Sequence, residues 1–249
     1  TLTHDADSGL VTDTTLGSVA TTQAFNGFGE LASLTASVKN QETFSQTIER
    51  DALGRIATLT EVSGNVTLRL AFAYDKAGRL VDVDRDGTVT TYAYDDNGNR
   101  TSVSVNGTEI STAEYDAQDR LQSFGEAFEQ TENGELLRRS QGSDALELSY
   151  DGLGNLLTAV TSTANATKTI DYTIDGFGRR VGKQVEGKFS RAWLYRDELR
   201  PIAEITDTGV FSHFVYADGG PGGPDFMLRA GVPFRFIKDH LGSVRFVVN

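Results

Sequence analysis

The alternation of apolar and polar residues along this chain has the period of a β-strand with one buried face. Leu70, Phe72 and Tyr74 share one face of a strand, whereas Ala71 and Ala73 share the other. Similar alternation recurs through most of the chain, and no stretch keeps convincing helical periodicity over the dozen or so residues that a helix needs. The pattern therefore predicts an all-β protein.

A short reversal follows this strand, and close relatives of it recur along the sequence. Type I turns favour Asp or Asn at the first position and Gly at the fourth, and glycine readily adopts positive φ. The residues predicted to occupy these turn positions are Asn26, Gly29, Asp51, Gly54, Asp75, Gly78, Asp95, Gly98, Asp116, Asp151, Gly154, Asp175, Gly178, Asp239 and Gly242.

The copies between Asn26 and Asp175 begin every 15 to 25 residues, if a degenerate copy at Thr131 is counted. A period in this range indicates a repeat protein in which each unit is one supersecondary element. Second turn signals such as Asp86-Gly87 and Asn106-Gly107 divide the intervals into two strands each. We therefore predict consecutive antiparallel β-hairpins in a curved or spiralling sheet; residues 113–139 are the nearest candidate for a short helix.

The copies resemble YD repeats, whose core is Tyr-Asp-x-x-Gly-Arg-Leu, and the string from Asp239 to Arg245 (DHLGSVR) resembles the core-associated signature of rearrangement hot spot (RHS) proteins. That family includes bacterial polymorphic toxins, the C components of insecticidal toxin complexes and the YD shells of teneurins. The resemblance covers residues 25–249. It implies hairpins that spiral into a hollow shell, which in the toxins encloses a C-terminal effector released by self-cleavage beyond the signature.

Motifs divide the chain into three predicted regions. Residues 1–24 are poorly defined leading strands, residues 25–181 are the YD-repeat hairpin array, and residues 182–249 are the RHS core-associated region, truncated before any cleavage site. The chain starts with Thr1 instead of methionine, so we expect a fragment or a processed product. The Gly- and Pro-rich stretch 218–224 is predicted to be a loop.

Composition and charge exclude several classes of function. With 35 acidic and 23 basic residues the net charge is −12, which argues against a nucleic-acid-binding surface and suggests a negative inner wall suited to a basic cargo. The absence of cysteine excludes disulfides and thiolate metal sites. No apolar run is long enough for a membrane span, and no secretory signal is visible. The expectation of a secreted or cell-surface location therefore rests on the family resemblance alone.

Candidates for catalysis and metal binding are weak. The turn accounts for each repeated Asp, and no spacing selects the pair of acids across a cleft that glycoside hydrolysis needs. His4, His213 and His240 lack the local spacing of metal ligands. Ser243 near His240 and Asp239 has the residue types of a catalytic triad, but the strand context predicts neither a strained nucleophile turn nor an oxyanion hole. We predict no catalytic residue, no metal and no cofactor.

The resemblance to RHS/YD-repeat proteins implies a non-enzymatic structural fragment whose β-shell would encapsulate or carry a C-terminal toxin effector. The alternative is a bacterial cell-surface module that binds carbohydrate or protein through rows of Tyr and Phe. The expected partner is the rest of the same polypeptide, shell and effector. Exposed strand edges also predict self-association, unless the first and last strands protect them.

Overall fold

The computed structural model describes residues 1–216 and 223–249, and all the regular elements of this part of the chain are β-strands. The all-β prediction is confirmed, and residues 113–139 form strands instead of a helix. No helix of the described residues could cross a membrane. Most of the predicted loop at 218–224 lies outside the described residues. The strands are β1 (Leu2–His4), β2 (Val11–Leu16), β3 (Val19–Phe25), β4 (Leu31–Val38), β5 (Gln41–Arg50), β6 (Ile56–Ser63), β7 (Val66–Tyr74), β8 (Leu80–Arg85), β9 (Thr88–Tyr94), β10 (Arg100–Val105), β11 (Thr108–Tyr115), β12 (Leu121–Phe124), β13 (Ala127–Gln130), β14 (Leu136–Gln141), β15 (Asp144–Tyr150), β16 (Leu156–Ser162), β17 (Thr167–Ile174), β18 (Arg180–Val185), β19 (Lys188–Tyr195), β20 (Pro201–Thr206), β21 (Phe211–Val215), β22 (Phe226–Arg229), β23 (Val232–Lys238) and β24 (Val244–Val248).

The strands belong to two compact units. Unit 1 comprises Thr1–Tyr92, Val105–Thr108 and Val215–Asn249, and unit 2 comprises Ala93–Ser104 and Glu109–Phe214. Within each unit, consecutive strands pair antiparallel, as in the ladder from β1 to β8 and in the ladder from β13 to β20. The division of the sequence by motif at residues 24/25 and 181/182 stays a prediction.

Each repeat turn has a type I geometry closed by a residue with positive φ. In the turn after β7, Gly78 N–H donates to the carbonyl of Asp75 at 3.0 Å, and Asp75 N–H donates to the carbonyl of Arg79 at 2.9 Å. Gly78 has φ of 84°, and the strand register shifts between Ala73 and Tyr74. A type I turn followed by a left-handed residue makes such a bulge, which glycine accommodates without steric strain.

The opposite ends of the strands carry a second kind of turn. Asp86 and Gly87 both have positive φ, at 50° and 87°, as the two-residue type I′ hairpin requires. Lys39 and Asn40 form a similar turn at 53° and 63° although neither residue is glycine. Because the two kinds alternate along each antiparallel ladder, the repeat turns lie together at one end of its strands.

One face of the unit 1 ladder is apolar and the other is polar. Strand pairing places Phe44 opposite Ala36 and Ile48 opposite Leu59, and all four side chains are buried. Residues between them in sequence point to the other face, where Thr47 pairs with Thr60.

The hairpin β23–β24 covers the apolar face of unit 1. Buried Ile237 belongs to the same core cluster as Phe44, and the ring of Phe246 meets that of Phe44 edge-on at 5.8 Å. Arg235 donates to Thr14 Oγ1 on β2, whereas His240, just after β23, donates to Gln46 on β5. The distance from β2 to β5 is about 14 Å, close to the extended length of residues 235–240, so β23 crosses the underlying strands steeply.

Unit 2 has the same two-faced construction, but its apolar face is only half buried. Leu146, Leu148, Ile170 and Tyr172 alternate on that face and are each partly exposed. The hydrophobic core of the protein therefore sits mainly in unit 1, between β3–β6 and the C-terminal hairpin.

Candidate functional site: the repeat turns and the signature cluster

The first Asp of a repeat turn is held by the turn itself. Asp75 Oδ1 accepts the N–H groups of Ala77 and Arg79 at 2.9 and 2.8 Å, and Asp75 Oδ2 accepts Arg79 Nε–H at 2.7 Å. The same arrangement of backbone N–H groups and an arginine side chain surrounds three further predicted turn acids, Asp51, Asp116 and Asp175. These carboxylates serve as acceptors within their own turns.

Hydrogen bonding lowers the pKa of these carboxyl groups. The side-chain hydrogen bond from Arg79 is the largest cause at Asp75, and that from Arg179 is the largest cause at Asp175. At Asp151 the pKa is lowered chiefly by the side-chain hydrogen bond from Asn155. A general acid near neutral pH needs a raised pKa, so the shifts favour a structural use of these residues.

The first and fifth residues of the turns keep a hydrogen bond even where their chemistry is reversed. In four of the eight copies from Asn26 to Asp175 an Asp accepts from Arg, and in two an Asp accepts from Asn, as Asp151 does from Asn155 Nδ2 at 2.8 Å. In the first copy Asn26 Nδ2 instead donates to Glu30 Oε2 at 2.8 Å, and in the degenerate copy Thr131 Oγ1 bonds to Glu135. The common feature is a donor facing an acceptor, which the motif Tyr-Asp-x-x-Gly-Arg-Leu does not reveal.

The predicted fourth positions adopt the left-handed backbone. Positive φ occurs at Gly29, Gly54, Gly78, Gly98, Gly154, Gly178 and Gly242, and also at Asp119, which replaces glycine in the fifth copy.

The tyrosine that precedes a turn ties its repeat to the previous one. Tyr74 Oη–H donates to the carbonyl of Ile56 at 2.9 Å, and Tyr150 Oη–H donates to the carbonyl of Leu136 at 2.8 Å. Each acceptor is the residue that begins the strand after the preceding turn. Arg55, fifth in that preceding turn, also lies over the ring of Tyr74 at 4.5 Å, a cation–π contact. Successive repeats are therefore linked by side chains as well as by the backbone ladder.

The signature string forms one more turn of the same kind. Gly242 N–H donates to the carbonyl of Asp239 at 2.9 Å and has φ of 81°. Asp239 Oδ1 accepts the N–H groups of Leu241 and Ser243 at 3.0 and 2.9 Å. The predicted positions Asp239 and Gly242 thus share the geometry of the repeat turns.

Side chains of the signature meet two buried polar residues of unit 1, and we name Gln46, Glu61, His240 and Arg245 the signature cluster. Gln46 Nε2 donates to Glu61 Oε2 at 2.9 Å across β5 and β6. His240 N–H donates to Gln46 Oε1 at 3.0 Å, and Arg245 forms an ion pair with Glu61. Buried amides and carboxylates need such partners, so the signature supplies a donor to Gln46 Oε1 and a cation to Glu61, which their mutual hydrogen bond does not provide.

The histidines do not gather into a catalytic or metal-binding arrangement. His240 Nδ1 lies 3.3 Å from Gln46 Oε1, while the Asp239 carboxylate accepts backbone N–H groups, so these residues are placed differently from the serine–histidine–aspartate relay. His4 lies on β1 and His213 on β21. Within residues 1–216 and 223–249, no three His, Cys, Asp or Glu side chains cluster to hold a metal ion.

A shallow cleft of about 560 Å³ lies on the polar face of unit 1 and brings several acids near each other. Glu49 accepts Thr58 Oγ1–H at 3.0 Å, Asp84 accepts Gly87 N–H at 2.7 Å, and Asp86 accepts Arg69 N–H at 3.1 Å. Each acid therefore has a partner in a neighbouring strand or turn.

Comparison with known proteins connects this architecture to a family. The profile described as teneurin YD-shell matches residues 1–249. Teneurin-1 of Mus musculus is 30% identical over 187 residues, which cover 73% of this chain and 7% of that protein. The tRNA nuclease WapA of Bacillus subtilis (strain 168) is 30% identical over 153 residues, 59% of this chain and 6% of that protein.

Double-stranded DNA deaminase toxin A of Burkholderia cenocepacia (strain H111) is 28% identical over 178 residues, 67% of this chain and 12% of that protein. The chain thus spans a small part of the length of each of these relatives.

Proposed function

The chain belongs to the teneurin YD-shell family of RHS/YD-repeat proteins, and from this premise we propose that it is a non-enzymatic wall segment of a β-shell. In this proposal the shell surrounds another part of the same polypeptide, a C-terminal effector, and the protein is secreted or displayed at a cell surface.

The observation that carries the proposal is the tie between consecutive repeats. A tyrosine hydroxyl of one repeat binds the backbone of the previous one, as Tyr74 binds Ile56 and Tyr195 binds Arg180. Such links run along the ladder instead of converging on a cleft. They suit a continuous wall, which must resist opening between any two hairpins.

The relatives support a scaffold role for this segment and a catalytic role for other parts of the polypeptide. Two of them have names that state different activities, a tRNA nuclease and a DNA deaminase, and both share sequence with this chain at 28–30% identity. A segment common to proteins of such different activity is better explained as a scaffold than as the catalytic part. The hydrogen-bonded turn acids Asp51, Asp75 and Asp175 agree with this assignment.

The placement of aromatic residues favours the wall over the carbohydrate-binding alternative. The hydroxyls of Tyr74, Tyr115, Tyr150 and Tyr195 are engaged by neighbouring repeats. Phe28 and Phe177 are 91% and 79% exposed, but they project from turns and not from a flat sheet face on which a sugar ring would stack.

The test uses the natural polypeptide that contains residues 1–249, with and without this segment. We expect a protease to cleave the effector segment slowly when the wall is intact and rapidly when it is deleted. The triple variant Y74F/Y150F/Y195F, which removes three of these hydroxyl groups, should give intermediate protection. The control V66S changes an exposed residue that forms no such hydrogen bond and should give full protection. Equal cleavage rates with and without residues 1–249 would refute the proposal, and binding on a glycan array would favour the alternative.

A further inference from the structure

The half-buried apolar face of unit 2 carries three lysines among its apolar side chains. Lys168 and Tyr172 lie an even number of residues apart on β17, so both point to this face. Lys183 pairs with Tyr172 across β17 and β18, and cross-strand partners share a face. Lys188 on β19 also reaches it, because its partner Val185 alternates with Lys183 on β18. We name Lys168, Lys183 and Lys188 the lysine cluster.

The lysine cluster has no local counter-charge, although the net charge of the chain is −12. Glu204 lies on the same face but already accepts Arg191 Nη1 at 3.0 Å and Trp193 Nε1 at 3.2 Å. Asp171 points to the opposite face, where it accepts Thr158 Oγ1–H at 3.1 Å. In residues 1–216 and 223–249, no ion pair engages a lysine of the cluster. Half of the lysines in the chain therefore gather on one face without a carboxylate partner.

A shallow cleft of about 490 Å³ lies beside the lysine cluster on unit 2. Ile174, Trp193 and Tyr195 line it together with Arg180. The guanidinium Cζ of Arg180 lies 3.9 Å from the centre of the Tyr172 ring, which joins the cleft to the strand pair that holds the cluster. The cleft suits an apolar or aromatic side chain, and the lysines beside it suit carboxylates.

Unit 1 shows what kind of group covers such a face and how its charge is matched. The apolar face of unit 1 carries the buried carboxylate of Glu61, and the covering hairpin β23–β24 supplies the cation of Arg245. The same hairpin places Arg235 against β2, where it donates to Thr14. The cover is thus polypeptide of a charge opposite to that of the face beneath it. Because the corresponding face of unit 2 is basic, the matching cover is an acidic polypeptide segment.

We propose that the lysine cluster and the adjoining cleft form a docking surface for an extended acidic polypeptide segment that carries carboxylates and apolar side chains on one side. The carboxylates bind the lysine Nζ groups, and an apolar side chain fills the cleft. Charges farther away than about 8 Å are screened at physiological ionic strength, so the cluster attracts a short acidic segment in spite of the net charge. The inference goes beyond the wall function, because it names the chemistry of a partner for one face and does not require that this partner be an effector.

A polypeptide fits this surface better than a nucleic acid. The lysines stand among apolar side chains, whereas a phosphate backbone binds to clustered basic residues. A long polyanion also meets the repulsion of the whole chain, whose net charge is −12. The cover of the related face in unit 1 is polypeptide as well.

The fluorescence of Trp193 reports binding directly, because it is the single tryptophan of the chain and lines the cleft. The probe is a tryptophan-free peptide of Glu-Glu-Leu-Leu repeats, about eight residues and about 26 Å long when extended, so that either side shows both residue types. Titration of residues 1–249 with this peptide should shift the emission to shorter wavelength and reach saturation. Raising the salt concentration from about 0.05 M to about 0.5 M should weaken binding at least about threefold. A peptide with lysine in place of each glutamate should not bind.

Substitutions of the lysine cluster separate its role from that of net charge. K168Q/K183Q/K188Q should bind the acidic peptide about tenfold more weakly, since it removes three exposed or half-exposed ion pairs with the peptide. The charge reversal K168E/K183E/K188E should bind the lysine peptide instead. Far-ultraviolet circular dichroism establishes that each variant is folded.

The matched control removes the same number of positive charges from exposed positions of unit 1, in the variant K39Q/K76Q/R229Q. It should bind the acidic peptide within about twofold of the wild type, because these charges lie outside the screening distance of the cluster. Equal weakening in the control and cluster variants would assign the attraction to net charge and overturn the proposal.

Zero-length cross-linking locates the bound peptide without any substitution. A carbodiimide joins a peptide carboxylate to a lysine amine in contact with it, and mass spectrometry should find the peptide on the lysine cluster and not on Lys39 or Lys76. The proposal is overturned by cross-links spread evenly over all lysines, by the absence of a saturable fluorescence change, or by equal binding of the two peptides. A single-stranded oligonucleotide of the same charge that binds as tightly as the acidic peptide would also overturn it. The protease test of the wall function is independent of each of these outcomes.

Discussion

Replacing Arg245 with methionine should loosen the C-terminal hairpin β23–β24 from the sheet of unit 1. Arg245 is the ion-pair partner of Glu61, whose side chain is 7% exposed, and the arginine side chain itself is 40% exposed. Methionine is an unbranched apolar side chain of similar reach, but it removes the charge and the guanidinium group, whose Cζ lies 5.9 Å from the centre of the Phe44 ring. The variant therefore leaves the buried carboxylate of Glu61 with the side-chain amide of Gln46 as its hydrogen-bond donor within the signature cluster.

The expected cost lies between two limits. Breaking a fully buried ion pair costs about 3–5 kcal/mol, whereas an exposed pair contributes about 0.2–1 kcal/mol. Water reaches Arg245 and Gln46 still donates to Glu61, so we expect about 1–2 kcal/mol, which corresponds to about 5–30-fold more frequent opening of the hairpin.

Hydrogen exchange followed by mass spectrometry measures this opening directly. Peptides from β5, β23 and β24 should exchange faster in R245M by that factor, while peptides from β16 and β17 in unit 2 should not change. The matched control is R229M, which removes an exposed arginine of β22. The double variant E61Q/R245M should cost less than R245M, because the buried charge of Glu61 is removed together with its cation; Asp239, whose carboxylate lies 3.8 Å from Arg245, keeps its two backbone N–H donors in both variants. Exchange in R245M equal to that in R229M would refute the role assigned to the signature cluster.

Three further changes test the repeat turns. N26D should destabilise unit 1 by about 1–2 kcal/mol, since it places two carboxylates next to each other, and N26D/E30N should recover most of that loss by restoring one donor and one acceptor. Hydrogen exchange of β3–β4 peptides measures both effects, and equal exchange rates in the two variants would contradict the pairing. Y150F should cost about 0.5–1.5 kcal/mol and speed exchange in β14 and β15 without affecting unit 1 peptides, whereas unchanged exchange would argue against the tie between repeats. Because hydrogen bonds lower the pKa of Asp75 and Asp175 below the ordinary 3.8, the folded state binds fewer protons than the unfolded state at low pH. The urea concentration at the unfolding midpoint should therefore stay constant from pH 7 to about 5 and fall as the pH drops below about 4. A midpoint that stays constant down to about pH 2 would contradict this.

The local features of the fold were predictable from the residues because their determinants lie close together in sequence. The turn from Asp75 to Arg79 is held by hydrogen bonds that span at most four residues. Strand alternation around it follows from the backbone pleat. The pair Asp86-Gly87 likewise predicts the turn at the other end of the hairpin, since few residue pairs adopt positive φ at two consecutive positions.

Other local features escaped prediction because the motif does not express them. The turn at Asn26 was predicted, but the motif does not show that Asn26 and Glu30 exchange the usual roles of acceptor and donor. Lys39-Asn40 turns the chain without the glycine that signals such turns elsewhere. In both cases several residue pairs can form the same hydrogen bond or adopt the same backbone angles. The residue types therefore differ between copies although the turn geometry is the same.

Tertiary packing alone decided where the core lies and what the signature contacts. Gln46 falls on the apolar face by simple alternation, yet its partner His240 is 194 residues away along the chain. No periodic pattern encodes a contact at that separation, because it depends on the hairpin β23–β24 folding back across β2–β6. The exposure of Leu153 and Phe177 is a second example: the motif places both in repeat turns, but only the assembled ladder shows that they are 90% and 79% exposed at one end of its strands. Short-range hydrogen bonding and the two-residue pleat thus specify the hairpins, whereas burial depends on which distant surfaces meet.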